Sequence, residues 1–163
     1  MEIRQASPAD ALELSSLCRD VQKLHAAYHP EIFKVPQSEA FAVSFFEEML
    51  IDPAARIFIA EEAGSALGYI VCKLIERLET PFTYAARVLH VDQISVQPSI
   101  HGRGVGRELT QEVERLAKEW GAERLQLDSW DFNVAAHGFF EHLGFQKFDF
   151  RFWKPIPGKE KVP

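Results

Sequence analysis

The fold of this chain is constrained most by the passage from Val88 to Gly106, VLHVDQISVQPSIHGRGVG, where an apolar β-prone run meets a turn and then glycines that open a helix. Val88, Val91, Ile94 and Val96 suit a strand, and Gln97-Pro98-Ser99 breaks it. Gly102, Gly104 and Gly106 can adopt backbone angles closed to other residues and let a bulky anion approach the main chain. A helix starting there aims unpaired N–H groups and the positive end of its dipole at the same spot. The passage predicts a strand-turn-helix anion site with a phosphorylated guest; the plain alternative is a glycine-rich turn that binds nothing.

Downstream of the glycines the periodicity becomes helical. Val105, Leu109, Val113, Leu116, Ala117 and Trp120 form one stripe of a helix that Gly121 ends. Arg124 to Asp128 reads as a short strand with Leu125 and Leu127 on one face. A second helix spans Val134 to Leu143, with Asn133 or Asp131 as N-cap and Gly144 past its end. Strand, helix, strand, helix implies parallel strands joined by a crossover helix.

Spacing separates the glycine motifs. A P-loop ends in Gly-Lys-Ser/Thr, whereas Gly106 is followed by Arg107 and Glu108. The dinucleotide fingerprint needs Gly-x-Gly-x-x-Gly, and Gly102-Arg103-Gly104-Val105-Gly106 is one residue short of it. His101-Gly102-Arg103-Gly104-Val105-Gly106 resembles the pyrophosphate loop of the GNAT superfamily of acyl-CoA N-acyltransferases, Arg/Gln-x-x-Gly-x-Gly/Ala, with His101 in place of the usual Arg or Gln. A second passage, WDFNVAAHGFFEHLGF from Trp130 to Phe145, is similar to the superfamily's other signature through Asn133, Ala136, Phe139-Phe140 and Gly144-Phe145. The same aromatics also suit a core.

The resemblance implies a coenzyme A site. Main-chain groups at Ile94, Ser95 and Val96 would pair with the pantetheine amides, and His101, Gly102, Arg103, Gly104, Val105, Gly106 and Arg107 would surround the pyrophosphate. Asn133 and Phe140 complete the cofactor set. It further implies a bulge in the strand ending at Val96, and a splay between that strand and the one at Arg124 to Asp128. Phe140 stands where many members carry a tyrosine that protonates the leaving thiolate, and phenylalanine has no proton to give. Tyr28 and Tyr84 are the conceivable substitutes, but no spacing places either at the sulfur and the reading of an ordinary half-buried tyrosine is preferred for each.

An alkylamine acceptor, with a reference pKa of about 10.4, must lose a proton before it attacks. Asp92 is the candidate base and Gln93 the candidate orienting group; the alternative for Asp92 is a surface carboxylate at a strand edge. Asp128 and Glu141 are weaker candidates. His25, Tyr28, His29 and Phe33, in the loop region Leu24 to Pro36, and Trp130 are the candidate substrate residues, with loop packing as the competing role. His25 and His29 are four apart, but Pro30 and the want of a third ligand argue against a metal there, and none is expected.

The remaining chain fits one domain over 1–154. Glu2 to Gln5 reads as a strand, Ser7-Pro8-Ala9-Asp10 as the start of a helix running to Tyr28, and Ser38 to Leu50 as a second helix ended by Asp52-Pro53. Arg56 to Glu61, Leu67 to Arg77, Ala85 to Val96 and finally Phe145 to Trp153 read as strands, giving the order βααβββαβαβ. The expected fold is α/β: a central mixed sheet flanked by helices, as in GNAT proteins. Residues 155–163 read as a loose tail. At 163 residues and 47% hydrophobic content the chain can bury a substantial core, and a net charge of −6 argues against general nucleic-acid binding. Cys18 and Cys72 have no metal or redox spacing and are expected as buried thiols.

No signal peptide or long uncharged apolar run is read, so a cytoplasmic protein with no membrane partner is expected. The functional expectation is an acetyl-CoA-dependent N-acetyltransferase acting on a primary amine of a small molecule such as a polyamine, amino acid or aminoglycoside-like compound. A protein N-terminal or lysine acetyltransferase and a non-catalytic acyl-CoA-binding regulatory module are the alternatives. A homodimer is left open.

Overall fold

Alternation along the strands decides which helices each face of the sheet receives. The computed structural model describes residues 1–156, and its elements run β1 (Glu2–Gln5), α1 (Ala11–Tyr28), α2 (Val43–Ile51), β2 (Ala55–Glu62), β3 (Ser65–Arg77), β4 (Ala86–Val96), α3 (Val105–Glu119), β5 (Arg124–Leu127) and α4 (Val134–His142). The sheet order is β1-β2-β3-β4-β5; the first four strands are antiparallel to their neighbours, and β5 joins β4 in parallel. Ile57, Ile59, Tyr69 and Val71 face a core shared with α1 and α2 through Leu14, Cys18 and Phe46. The intervening Phe58, Ala60, Ile70 and Cys72 face α3 through Leu109 and Val113. Each buried Leu, Ile or Phe contributes roughly 1.5–3 kcal/mol, so the sheet is held from both sides. The result is the expected mixed sheet flanked by helices.

One irregularity in β4 changes which face its side chains take. Val71 pairs with Gln93 but Cys72 pairs with Val91, so Asp92 is an extra residue in β4, a β-bulge. Leu89 and Val91 pack on the α3 side before it, and Ile94 and Val96 pack on that same side after it. Gln93 and Ser95 are thereby turned toward α1, since inserting one residue flips every later side chain of a strand. Ser95 is buried and donates to the Leu17 carbonyl at 3.0 Å, which anchors α1 across β4.

Two expected helix starts differ. The first helix begins as a 3₁₀ turn at Pro8–Asp10, where the Asp10 carboxylate accepts from the Ser7 N–H at 2.7 Å and from Arg4 at 2.8 and 3.0 Å. The second helix starts at Val43 rather than Ser38, because the buried Ser15 hydroxyl donates to the Glu39 carbonyl at 2.5 Å and accepts from the Ala42 N–H at 3.0 Å. That tertiary pair of bonds holds residues 39–42 out of helix.

The last expected strand, Phe145 to Trp153, is not formed. The alternation is present, yet Phe148, Phe150 and Phe152 are exposed and no described strand pairs with the segment. Its start is tied to α4 by the Phe145 N–H donating to the Phe140 carbonyl at 3.0 Å and by Lys147 beside Glu141 at 2.8 Å. Periodicity records a face that needs cover; only a neighbouring backbone makes it a strand. Of the expected tail, residues 157–163 lie outside the described residues.

Candidate active site

The parallel pairing of β4 with β5 covers only Val88 to Val91 against Arg124 to Leu127. Beyond Val91, β4 continues to Val96 bonded on one side alone, to β3. Gln97 N–H donates to the Leu67 carbonyl at 2.9 Å, so by alternation Ser95 also faces β3, while Ile94 and Val96 direct their N–H and C=O groups to the open side. The expected bulge and splay are both present, and a cleft of about 320 Å³ lies where the strands part. Asp92, Gln93 and Ile94 of β4, Asp128 beyond β5, and Phe140 and Asn133 of the α4 region line it.

Past the end of β4 and its turn, α3 begins. Gly104 is its N-cap in the left-handed region at φ 84°, and Gly102 has φ 82°; an added Cβ would meet nothing at either. The glycines are there for conformation, not for crowding. The Glu108 N–H reaches back to the Gly104 carbonyl at 3.1 Å, so the N–H groups of Val105, Gly106 and Arg107 form the open end of the helix. This cradle of donors has the chemistry to hold a pyrophosphate. Gly106 differs: a Cβ there would stand 2.9 Å from Phe139 Cζ, so this glycine lets α4 close on α3.

Two expected coenzyme side chains are engaged elsewhere. His101 Nε2 lies 2.9 Å from the Val96 carbonyl and, as donor, ties the turn to the end of β4. Arg103 donates to Glu62 at 2.9 Å, and its guanidinium holds that carboxyl below its usual range. Arg107 is exposed at the start of α3. Asn133 caps α4, its side chain accepting from the Ala136 N–H at 3.4 Å.

The cleft itself is built largely from side chains. Gln93 accepts at Oε1 from the Tyr69 hydroxyl at 2.8 Å and from the Cys18 thiol at 3.7 Å. Tyr69 is fully buried, and that burial pushes its pKa well up, as it does the Cys18 thiol's. Both therefore stay protonated and fix the Gln93 amide. Asp92, on the bulge, is exposed to the cleft. Asp128 lies across from it, with His90 Nε2 3.9 Å from its carboxylate.

The aromatic residues form two tiers. His25, Phe33 and Trp130 line the cleft: His25 stacks on Phe33 at 4.8 Å, and Phe33 meets Trp130 edge-on at 4.9 Å. Burial lowers the His25 pKa and keeps the ring neutral. Tyr28 and His29, expected to touch substrate, stand outside the lining. Tyr28 stacks on Phe132 at 4.4 Å with the rings 2° apart, and His29 reaches Glu31 at 2.7 Å and Asp131 at 3.7 Å. They clasp the end of α1 to the loop before α4. Tyr84 is exposed in the β3–β4 connection and Tyr28 is stacked away, so neither lines the cleft near Phe140.

The sequence reading missed Phe132 and the α1 residues Cys18, Val21 and Gln22, which line the cleft or brace it. With His25 they follow the spacing i, i+3, i+4, i+7, so one helical stripe carried the signal. Among the described residues no group of three or more His, Cys, Asp or Glu could hold a metal ion, and no helix is long and apolar enough to cross a membrane.

Comparison with known proteins agrees with this geometry. A tetramutant of a Bacillus halodurans protein superposes with a TM-score of 0.89 at 22% identity, covering 96% of this chain and all of that one. An aminoglycoside N-acetyltransferase solved in complex with CoA has a TM-score of 0.73 at 19% identity, covering 95% of this chain and 98% of that one. These likenesses concern the fold. In sequence, 31% identity over 102 residues links 62% of this chain to the mycothiol acetyltransferase of Salinispora tropica, and the chain spans about a third of that relative's length, 32%. The family model for the GNAT acetyltransferases matches residues 18–145, from the α1 residue on the cleft wall to the end of the second motif, and by that match the chain belongs to the GNAT acetyltransferase family.

Proposed function

We propose that the chain is an N-acetyltransferase that moves the acetyl group of acetyl-CoA to a primary amine of a small molecule within one ternary complex. The observation that carries this reading is what β4 brings together along its open edge. That edge and, past its turn, the open end of α3 suit a phosphorylated, amide-bearing donor, while the cleft beside the edge holds a carboxylate on a bulge, which suits an amine.

Acetyl-CoA supplies the activated acyl group. The pyrophosphate fits the N–H groups from Val105 to Arg107, and the amides of the arm fit the open side of Ile94 and Val96. Because His101 already occupies the Val96 carbonyl, Ile94 carries most of the pairing. Asp92 takes the proton of the ammonium and passes it to solvent. The amine nitrogen then forms the C–N bond as the C–S bond breaks; the nitrogen gives its second proton to water and the leaving sulfur takes one from water, since Phe140 offers none. Gln93, fixed by Tyr69, orients the amine. Holding both reactants in line supplies most of the rate.

The test is release of free thiol on mixing the protein, acetyl-CoA and a panel of primary amines. Amine-dependent release supports the reading. Calorimetric binding of coenzyme A with no release from any amine would instead favour a non-catalytic acyl-CoA-binding module.

A further inference from the structure

The acceptor end of the cleft has a composition that selects among amines. Among the described residues lining it, the charged side chains are two carboxylates, Asp92 and Asp128, and no Lys or Arg is present. His25, on the same wall, is neutral through burial. The rest of this end mixes apolar side chains with the uncharged polar Gln22, Gln93 and Ser129, and Phe33 and Trp130 form a corner of rings.

The corner is held stiff from behind. Tyr28 and Phe132 stack face to face, and His29 lies 5.4 Å from the Trp130 ring while bonding Glu31 and Asp131. Trp130 nevertheless stays 37% exposed, so part of its surface is still to be covered. Rigid rings presented to a cleft bury a flat apolar body at little cost in side-chain entropy.

We propose, building on the acetyltransferase reading above, that the acceptor is a primary amine carried on a flat, apolar body and lacking a carboxylate. Its ring lies against Phe33 and Trp130, and its nitrogen points to Asp92. A substrate carboxylate would meet Asp92 and Asp128 with no lining cation to receive it, and like charges brought together in a cleft cost several kcal/mol. A polyamine or aminoglycoside would set several further ammonium groups against rings, aliphatic and neutral polar side chains, with two carboxylates to share among them.

The experiment measures thiol release with 2-phenylethylamine, phenylalanine, propylamine and spermidine, on wild type, Trp130→Ala and Trp130→Phe. The expected result is a kcat/KM for 2-phenylethylamine at least about tenfold above the other three. Trp130→Ala should raise KM for 2-phenylethylamine about tenfold with kcat little changed, raise KM for propylamine by a much smaller factor, and be rescued by Trp130→Phe. Unchanged coenzyme A affinity by calorimetry shows that the variants are folded. Spermidine or phenylalanine as the best acceptor would overturn the inference and leave acetyl transfer standing. An equal loss for propylamine in Trp130→Ala would also overturn it. Silence with every amine would remove both readings together.

Discussion

The two ends of the candidate site are made of different material. The coenzyme end is backbone: left-handed glycines at 102 and 104, the first N–H groups of α3 and the open side of β4. The acceptor end is side chains drawn from three distant stretches, α1 and its following loop, the bulge in β4, and the loop between β5 and α4. A backbone site recognises what all donors of one class share, and it tolerates almost no change in dihedral angles. A side-chain site recognises what distinguishes one acceptor from another, and it can change residue by residue while the fold stands. Loss at the coenzyme end should therefore be total, and loss at the acceptor end graded.

The hardest blow to this contrast is Gly104→Val. A β-branched residue at φ 84° costs about 1–3 kcal/mol of strain and displaces the cradle. Calorimetry should show coenzyme A binding reduced at least about a hundredfold while circular dichroism shows a folded protein; an unchanged affinity would remove the loop from the site. Next comes Asp92→Asn, which should lower kcat about a hundredfold, most strongly at low pH, with coenzyme affinity preserved. A near-normal, pH-independent rate would leave Asp92 a surface carboxylate.

A milder effect is expected where the two ends touch through α4. Gly106→Ala places a Cβ against Phe139 and should destabilise the fold by about 1–3 kcal/mol in chemical denaturation. If the mutant loses coenzyme affinity with its stability intact, the glycine serves the ligand and not the packing. The smallest effect concerns the clasp. Glu31 and then Asp131 raise the His29 pKa above its ordinary value near 6.5, so the clasp is intact below that value and is lost as pH rises through the folded pKa. Trp130 fluorescence should follow that upward titration, and Glu31→Gln should shift its midpoint down. A flat profile would show that the stacked rings hold the wall without it.

The same contrast explains what could be read from the residues. Glycines that need positive φ, a helix stripe from Val105 to Trp120 and the Asn133 cap are local demands, and local demands are written in short spacings. The roles of His101 and Arg103 were not legible, because their partners, Val96 and Glu62, become neighbours only when β2, β4 and the turn are assembled. Tyr28 and His29 lie within a few residues of Phe33, yet they brace the wall that Phe33 forms. Only Phe132, brought from another loop, decides this. The unformed strand at Phe145 to Trp153 fails for the related reason that alternation specifies a face and not a partner.

Because β4 loses its parallel neighbour after Val91, its amides should exchange with deuterated solvent in a two-residue beat. Positions 95 and 97, bonded to β3, would be slow, and positions 94 and 96 fast. Anything that lies along the open side flattens that beat before any product forms. The gap in the sheet is thus its own occupancy gauge, readable at single amides in a protein whose acceptor has not been supplied.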